Sequence, residues 1–299
     1  MRLAITHETR YSYSPAVQTA QHVAHLQPAD TPCQKVLSHS LHVEPAASVL
    51  HNVDAYCNHR AYWALNNPHD GLLVRACSEI ETSEIEQAKA TQSWESVREH
   101  FRYHGGLPAD VNNGFVFGSH HAPVHEAFKA YAQSSFTPGR ALMPAALELT
   151  ARMHRDFTYA SQSTDINTPA LEALESKRGV CQDFAHILLA CLRSLGLPAR
   201  YVSGYLLTQP PPGQPRLVGS DASHAWASVY LPELASHACQ GWLDLDPTNN
   251  RCGLASPGLD YVRLAVGRDF ADVSPLRGVL QGGGEHTLDV AVTVAPLDE

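Results

Sequence analysis

The sequence predicts an α+β protein, an all-β N-terminal domain followed by a helix packed on an antiparallel sheet. Three observations carry that reading. Over roughly the first 90 residues the apolar side chains alternate with a period of two, the mark of half-buried strands. Beyond residue 120 they recur at three-and-four spacing, which belongs to helices. The most apolar of those helices, starting at Cys181, is followed by three strand-like runs joined by loops too short for further helices, so the strands should pair antiparallel.

Taken in order, Leu3, Ile5, Tyr11 and Tyr13 hold odd positions in a first strand, and Val36–Val43 and Leu72–Ile80 read as further strands. Pro28, Pro32, Pro45, Asn66-Asn67-Pro68 and Gly71 stand at turn positions between them. Residues 1–90 are therefore expected to form a β-sandwich-like domain, with a structural or substrate-gating role because no reactive constellation gathers there. Residues 91–120 read as a linker with a short helix at Ser93–Phe101 and a turn-rich stretch from Gly105-Gly106-Leu107-Pro108 to Gly118.

Residues 121–299 are expected to form the second domain. Val124, Phe128 and Tyr131 mark a helix over Pro123–Phe136, and Leu142, Ala146, Leu149 and Met153 mark another over Gly139–Phe157. Phe184, Ile187, Leu188, Cys191, Leu192 and Leu195 give the third helix its apolar stripe, and Gly196-Leu197-Pro198 ends it. Strands are expected at Ala199–Leu207, His224–Leu231 and Gly241–Asp246, with a Pro/Gly loop at Gln209–Gly219. Leu288, Val290, Val292 and Val294 alternate in a last strand to which the sequence assigns no partner, and Gly282-Gly283-Gly284 reads as a flexible turn.

Composition narrows the function. The 299 residues are 44% hydrophobic and 17% charged, and no apolar run has the length of a membrane-spanning helix. A formal charge of −9 argues against a nucleic-acid partner, which calls for a basic face. Met1-Arg2-Leu3-Ala4-Ile5 runs directly into alternation without a continuous apolar signal segment, so a cytoplasmic location is expected. The seven cysteines are scattered and contain no C-x-x-C pair, which fits reduced thiols better than disulfides or structural zinc.

Cys181 is placed at the start of its helix, where unpaired N–H groups and the helix dipole favour an anion and hence a thiolate. A nucleophilic thiol also requires a base, and the base requires a group that orients it. His224 stands at the start of one expected strand and Asp246 at the end of the next, so antiparallel pairing makes them neighbours at one edge of the sheet. Asp244 shares the strand face of Asp246 and competes for the third role. His186, five residues after Cys181, points away from it around the helix and is expected to orient backbone or pack. Ser119-His120-His121-Ala122-Pro123-Val124-His125 has only Glu126 beside it as a carboxylate, so no metal site is expected, and no cofactor either. Asp269 and Asp272 read as solvated or capping groups, and Cys191 as part of the buried stripe.

Gly179-Val180-Cys181-Gln182-Asp183-Phe184-Ala185-His186, Ser223-His224-Ala225-Trp226 and Asp246-Pro247-Thr248-Asn249-Asn250 together resemble the three ordered motifs of the bacterial transglutaminase-like cysteine peptidase family. The N-terminal β region resembles that family's companion domain, and Gly267-Arg268-Asp269-Phe270-Ala271-Asp272-Val273 with Gly282-Gly283-Gly284-Glu285-His286 resemble its C-terminal segment. Cys57, in Asp54-Ala55-Tyr56-Cys57-Asn58, departs from the glycine expected in the family's turn. The resemblance implies a papain-like, transglutaminase-like core with a Cys-His-Asp triad of Cys181, His224 and Asp246, and it favours Asp246 over Asp244. It further implies acyl transfer through a thioester, with the backbone N–H of Cys181 and a side chain, Gln182 or Tyr159, facing the oxyanion. The expected substrate is a peptide, protein or small amide. Hydrolysis is the default because water is the abundant acceptor; transfer to an amine and a catalytically silent binding module are the rivals. No feature of the sequence sets an oligomeric state.

Overall fold

The computed structural model describes residues 1–103, 110–160, 168–208 and 223–297. Residues 105–108 of the expected linker and the loop at 209–219 lie outside the described residues. The chain opens with a long strand, β1 (Arg2–Ala24), then β2 (Gln34–Glu44), β3 (Leu50–Val53), β4 (His59–Leu65) and β5 (His69–Thr82). Leu3, Ile5, His7 and Thr9 are buried along β1, as its alternation requires. The strand continues well past Tyr13. Its pairing with β5 jumps from Ser12↔Gly71 to Val17↔His69, leaving Pro15 in the interruption, where a missing N–H costs no ladder bond.

That interruption lets one strand serve two halves of a sheet. Residues 2–12 pair with β5, and residues 20–24 pair with β4. The halves enclose Tyr13, Val17, Ala24, Val43, Trp63, Leu72 and Val74, so the expected sandwich is one continuous sheet folded over at β1.

The helical part begins with α1 (Trp94–His100), capped by Ser93, whose hydroxyl accepts from the N–H of Ser96. It continues through α2 (Glu126–Gln133), α3 (Leu142–Asp156), β6 (Thr158–Tyr159), α4 (Ala170–Ser176), β7 (Arg178–Gly179) and α5 (Cys181–Ser194). The second sheet follows, built from β8 (Ala199–Leu206), β9 (Ser223–Tyr230), β10 (Trp242–Asp246), β11 (Arg251–Leu254) and β12 (Tyr261–Gly267), in the order β11-β10-β9-β8-β12 and antiparallel throughout. A short α6 (Phe270–Val273) leads to β13 (Leu276–Gly282) and β14 (Glu285–Pro296).

These last two strands lie outside the second sheet. Both run antiparallel along β1, β13 beside residues 17–24 and β14 beside residues 3–14. The strand left without a partner in the sequence therefore pairs with the first strand of the chain, and the N-terminal sheet draws on both ends of the expected 1–90 and 121–299 units. Gly282-Gly283-Gly284 is a kink following the bend of β1 and not a free turn. Gly282 and Gly283 have φ of +79° and +78°, and a Cβ on Gly284 would stand 3.0 Å from the carbonyl oxygen of Ser14.

Helix α5 is buried on nearly every side from Asp183 to Arg193, well beyond the expected stripe. It packs on β8 and β9 on one side and on α2 and α4 on another. Ala225 and Ala227 on the facing strand are small enough to let its backbone come close. Ile187, Leu188, Leu189 and Leu192 have no exposure, and burying each contributes about 1.5–3 kcal/mol. Arg193 is buried with them. Its guanidinium donates to the carbonyls of Phe115, Ala199 and Arg268 and to the hydroxyl of Ser119, which ties the end of α5 to three other segments.

The two sheets join directly. Leu3, Ile5, Ile80, Val292 and Val294 from the first pack on Tyr205, Val262 and Leu264 from the second. Asn58 both donates to the carbonyl of Val266 and accepts from its N–H, each at 2.8 Å. It is delivered by the turn Asp54–Asn58, whose Asp54 carboxylate accepts from the N–H groups of Tyr56 and Asn58. Cys57 in this turn has φ +66°, which explains why glycine is the residue expected there. Replacing Cys57 by Gly should relieve the left-handed strain at a smaller chain-entropy cost and stabilise the fold by about 0.5–1 kcal/mol. A higher urea midpoint for Cys57→Gly and a lower one for Cys57→Val are the expected outcomes.

Candidate active site

Cys181 is the first residue of α5, half-buried where the residues behind it are sealed. The turn that delivers it is built locally. Lys177 takes a left-handed conformation at the end of α4, and β7 then pairs with β6 through Thr158↔Arg178 and Tyr159↔Gly179. Asp183 reaches back to accept from the N–H of Val180 at 2.8 Å, anchoring the first turn of the helix. Gly179 is required beside it, since a Cβ there would lie 2.6 Å from the Asp183 carboxylate.

The Cys181 thiol lies beside the His224 side chain, close enough to help raise the pKa of the ring. The His224 ring meets Asp246, with Nε2 2.7 Å from Oδ2. Neighbours fix the ring in this pose. Trp226 stacks beside it at a centroid separation of 6.1 Å, and Gly204, directly opposite His224 in the ladder, leaves the room that the indole occupies. Burial alone would push the His224 pKa down, but the Asp246 carboxylate and Cys181 outweigh it and raise it to about 10.

Asp246 has no solvent exposure. Burial would favour its neutral form, yet its pKa lies below the ordinary carboxylate value because donors surround it. Oδ2 accepts from His224 Nε2, from the Tyr261 hydroxyl at 2.7 Å and from Asn249 Nδ2 at 2.8 Å. Oδ1 accepts from the N–H groups of Thr248 at 2.8 Å and Asn249 at 3.3 Å. A thiol thus stands beside a hydrogen-bonded imidazole–carboxylate pair at the meeting point of a helix start and two strand ends.

Two family models match in the same order as the two parts of the fold: the bacterial transglutaminase-like N-terminal region over residues 3–81 and the transglutaminase-like superfamily core over residues 129–247. The chain belongs to the transglutaminase-like superfamily. A relative from Mycobacterium tuberculosis without an assigned function is 38% identical over 304 residues, covering 99% of this chain and 93% of its own. A protein-glutamine gamma-glutamyltransferase of Pseudomonas aeruginosa is 32% identical over 98 residues, 32% of this chain and 14% of that protein. A crystal structure from Cytophaga hutchinsonii, provisionally named a cysteine protease, superposes with a TM-score of 0.76 at 22% identity, covering 100% of this chain and 91% of that one, and shows the shared fold.

The other expected residues of this transglutaminase-like core fall as follows. Gln182 is half-buried next to Cys181, and Tyr159, 56% exposed, sits in the β6–β7 ladder two residues from the thiol in register. Asp244 is turned to different work: it accepts from Trp226 Nε1 at 3.0 Å and from the Ser228 hydroxyl, with no bond to His224. His186 packs between His121 and Tyr201 and accepts from the Phe270 N–H, and burial pushes its pKa to about 3, so it stays neutral. His125 caps α2 by accepting from the Ala127 N–H. Asp269 caps α6 and accepts from the His121 N–H, buried and not solvated, while Asp272 pairs with Arg268. Asn249 belongs to a motif quoted from the sequence but carried no assigned role, and Tyr261 gave no sequence signal.

The protonation of this imidazole–carboxylate pair links stability to pH. His224 has a folded pKa above its ordinary 6.5, so its contribution is complete below pH 6.5 and is lost as pH rises through about 10. Asp246 is depressed below its ordinary 3.8, so its contribution is present above that value and is lost as pH falls beneath it. Urea midpoints measured across this range should decline at both ends, and His224→Gln should remove the decline on the alkaline side.

Proposed function

We propose that the protein is a thiol-dependent acyl-transfer enzyme that hydrolyses an amide or isopeptide bond in a peptide, protein or small amide. The observation that carries the reading is the His224 ring, hydrogen-bonded to buried Asp246 and placed beside the Cys181 thiol at the start of α5. In the first step the Cys181 sulfur bonds to the carbonyl carbon, and the carbonyl π electrons move onto oxygen. Collapse of that adduct expels the amine, which takes a proton from the His224 imidazolium, leaving a thioester. His224 then removes a proton from water as its oxygen attacks the thioester, and the sulfur departs to regain that proton. Asp246 keeps the imidazole oriented and supports its cationic form. The oxyanion faces the first N–H groups of α5, which have no acceptor within the helix, together with Gln182 or Tyr159.

Transfer to an amine is the second reading, favoured by the similarity of about a third of the chain to a protein-glutamine gamma-glutamyltransferase. Product analysis with a competing primary amine separates the two, since hydrolysis releases the free acid and transfer incorporates the amine. A catalytically silent binding module of the same fold would show neither product.

Against a library of peptide and isopeptide substrates, Cys181→Ala and His224→Ala should each reduce turnover at least about 1,000-fold with an unchanged far-ultraviolet circular dichroism spectrum. Iodoacetamide near neutral pH should modify Cys181 ahead of the exposed Cys57, while Cys252, pushed up to about 12 by burial, and fully buried Cys191 stay unmodified. Retained turnover in either variant, or Cys57 labelling faster than Cys181, would contradict the proposal.

A further inference from the structure

Four of the five donors to Asp246 come from nearby structure. Thr248 N–H, Asn249 N–H and Asn249 Nδ2 belong to the turn that directly follows Asp246, and His224 comes from the adjacent strand β9. The fifth does not. Tyr261 opens β12, which in the sheet order lies three strands away from β10, yet its hydroxyl donates to Oδ2 at 2.7 Å. The sheet is curled enough for its two edges to meet over the site. Arg251 of edge strand β11 stacks on the Tyr261 ring at 4.9 Å and pairs with Asp260, the residue before it. The same ring lies 5.9 Å from the His224 ring and edge-on to Trp226 at 5.4 Å.

We propose that Tyr261 is a positioning residue for this site, its hydroxyl holding the Asp246 carboxylate ionised and aimed at His224. The inference rests on Cys181 and His224 acting as nucleophile and base. The turn donors fix Asp246 relative to its own hairpin only. Tyr261 fixes it relative to the far edge of the sheet, and it puts a charge-stabilising donor on the same oxygen that His224 uses. The charged and titratable groups that bear on Asp246 are His224 from β9, with Cys181 of α5 beside it, Tyr261 from β12, and Arg251 and Cys252 from β11. Arg251 also supports the anion, but from behind the phenol and without a hydrogen bond to it.

The consequence concerns acid. Once Asp246 takes a proton, the imidazolium loses its counter-charge and the thiolate beside it is no longer supported. Removing one donor lets Asp246 take that proton at higher pH. The rate of Cys181 alkylation by iodoacetamide, followed against pH in the intact protein, reads this without a substrate. Tyr261→Phe keeps the ring and removes the hydroxyl, and the acid limb of its profile should move up by about one pH unit, the effect of one hydrogen bond to a charged group. A limb that coincides with that of the unmodified protein overturns the proposal. His224→Ala is run beside it. If that variant also leaves the profile unchanged, the nucleophile–base reading itself has failed; if it abolishes rapid alkylation while Tyr261→Phe changes nothing, only the role of Tyr261 has failed. Should Tyr261→Phe lose the folded circular dichroism spectrum, 3-fluorotyrosine placed at position 261 supplies a stronger donor. The limb should then move down, and an unmoved limb overturns the proposal.

Discussion

A buried carboxylate must either be met by donors or give up its charge, and the requirement at Asp246 organises much of the second half of this chain. The turn after β10 is shaped so that two backbone N–H groups and an amide converge on it. The strand before it places His224 alongside, and the far edge of the sheet curls round to contribute Tyr261. The pairing has a direction. Because Asp246 stays ionised, His224 keeps its proton well above its ordinary range and presents a cation to the thiol of Cys181.

The rest of the fold keeps that arrangement rigid and leaves one end open. Helix α5 is enclosed by β8, β9, α2 and α4 almost along its whole length, and Arg193 pins its C-terminal end to three other segments. Only its terminal residues, Cys181 and Gln182 at one end and Ser194 at the other, escape full burial. A thiol at that position combines a fixed helix start with access from outside, which suits a nucleophile better than a place within the packed stripe, where burial pushes Cys191 strongly towards its neutral form. The N-terminal sheet is bound to this core through Asn58, Gln34 and a shared apolar layer, and the C-terminal strands close back on β1.

What could be read in the sequence followed from short-range pattern. The α5 stripe, its stop at Gly196-Leu197-Pro198 and the strands carrying His224 and Asp246 are set by periods of 3.6 and 2, and the hairpin relation of β9 and β10 brought the two residues together before any coordinates. Asp244 and Asp246 share a face, as alternation requires, but only the placement of the ring of His224 assigns them different partners. What escaped depends on distance along the chain. The partner of β14 is β1, more than 260 residues earlier, and no local pattern names it. The continuation of β1 past Pro15 relies on a break in pairing with β5, and the kink at Gly282–Gly284 makes sense only once the neighbouring bend is known. Tyr261 is the sharpest case, since its role requires both edges of a curled sheet to meet.

The central claim is that Cys181 carries the acyl group, activated by His224. It is tested most directly by mixing the protein with an activated acyl ester such as p-nitrophenyl acetate, quenching in acid, and mapping the acetyl group by mass spectrometry. The account predicts acetylation on the peptide containing Cys181 within the first turnover, and its loss in both Cys181→Ala and His224→Ala. Acetyl groups found chiefly on other residues, or on Cys181 to the same extent when His224 is absent, would contradict it.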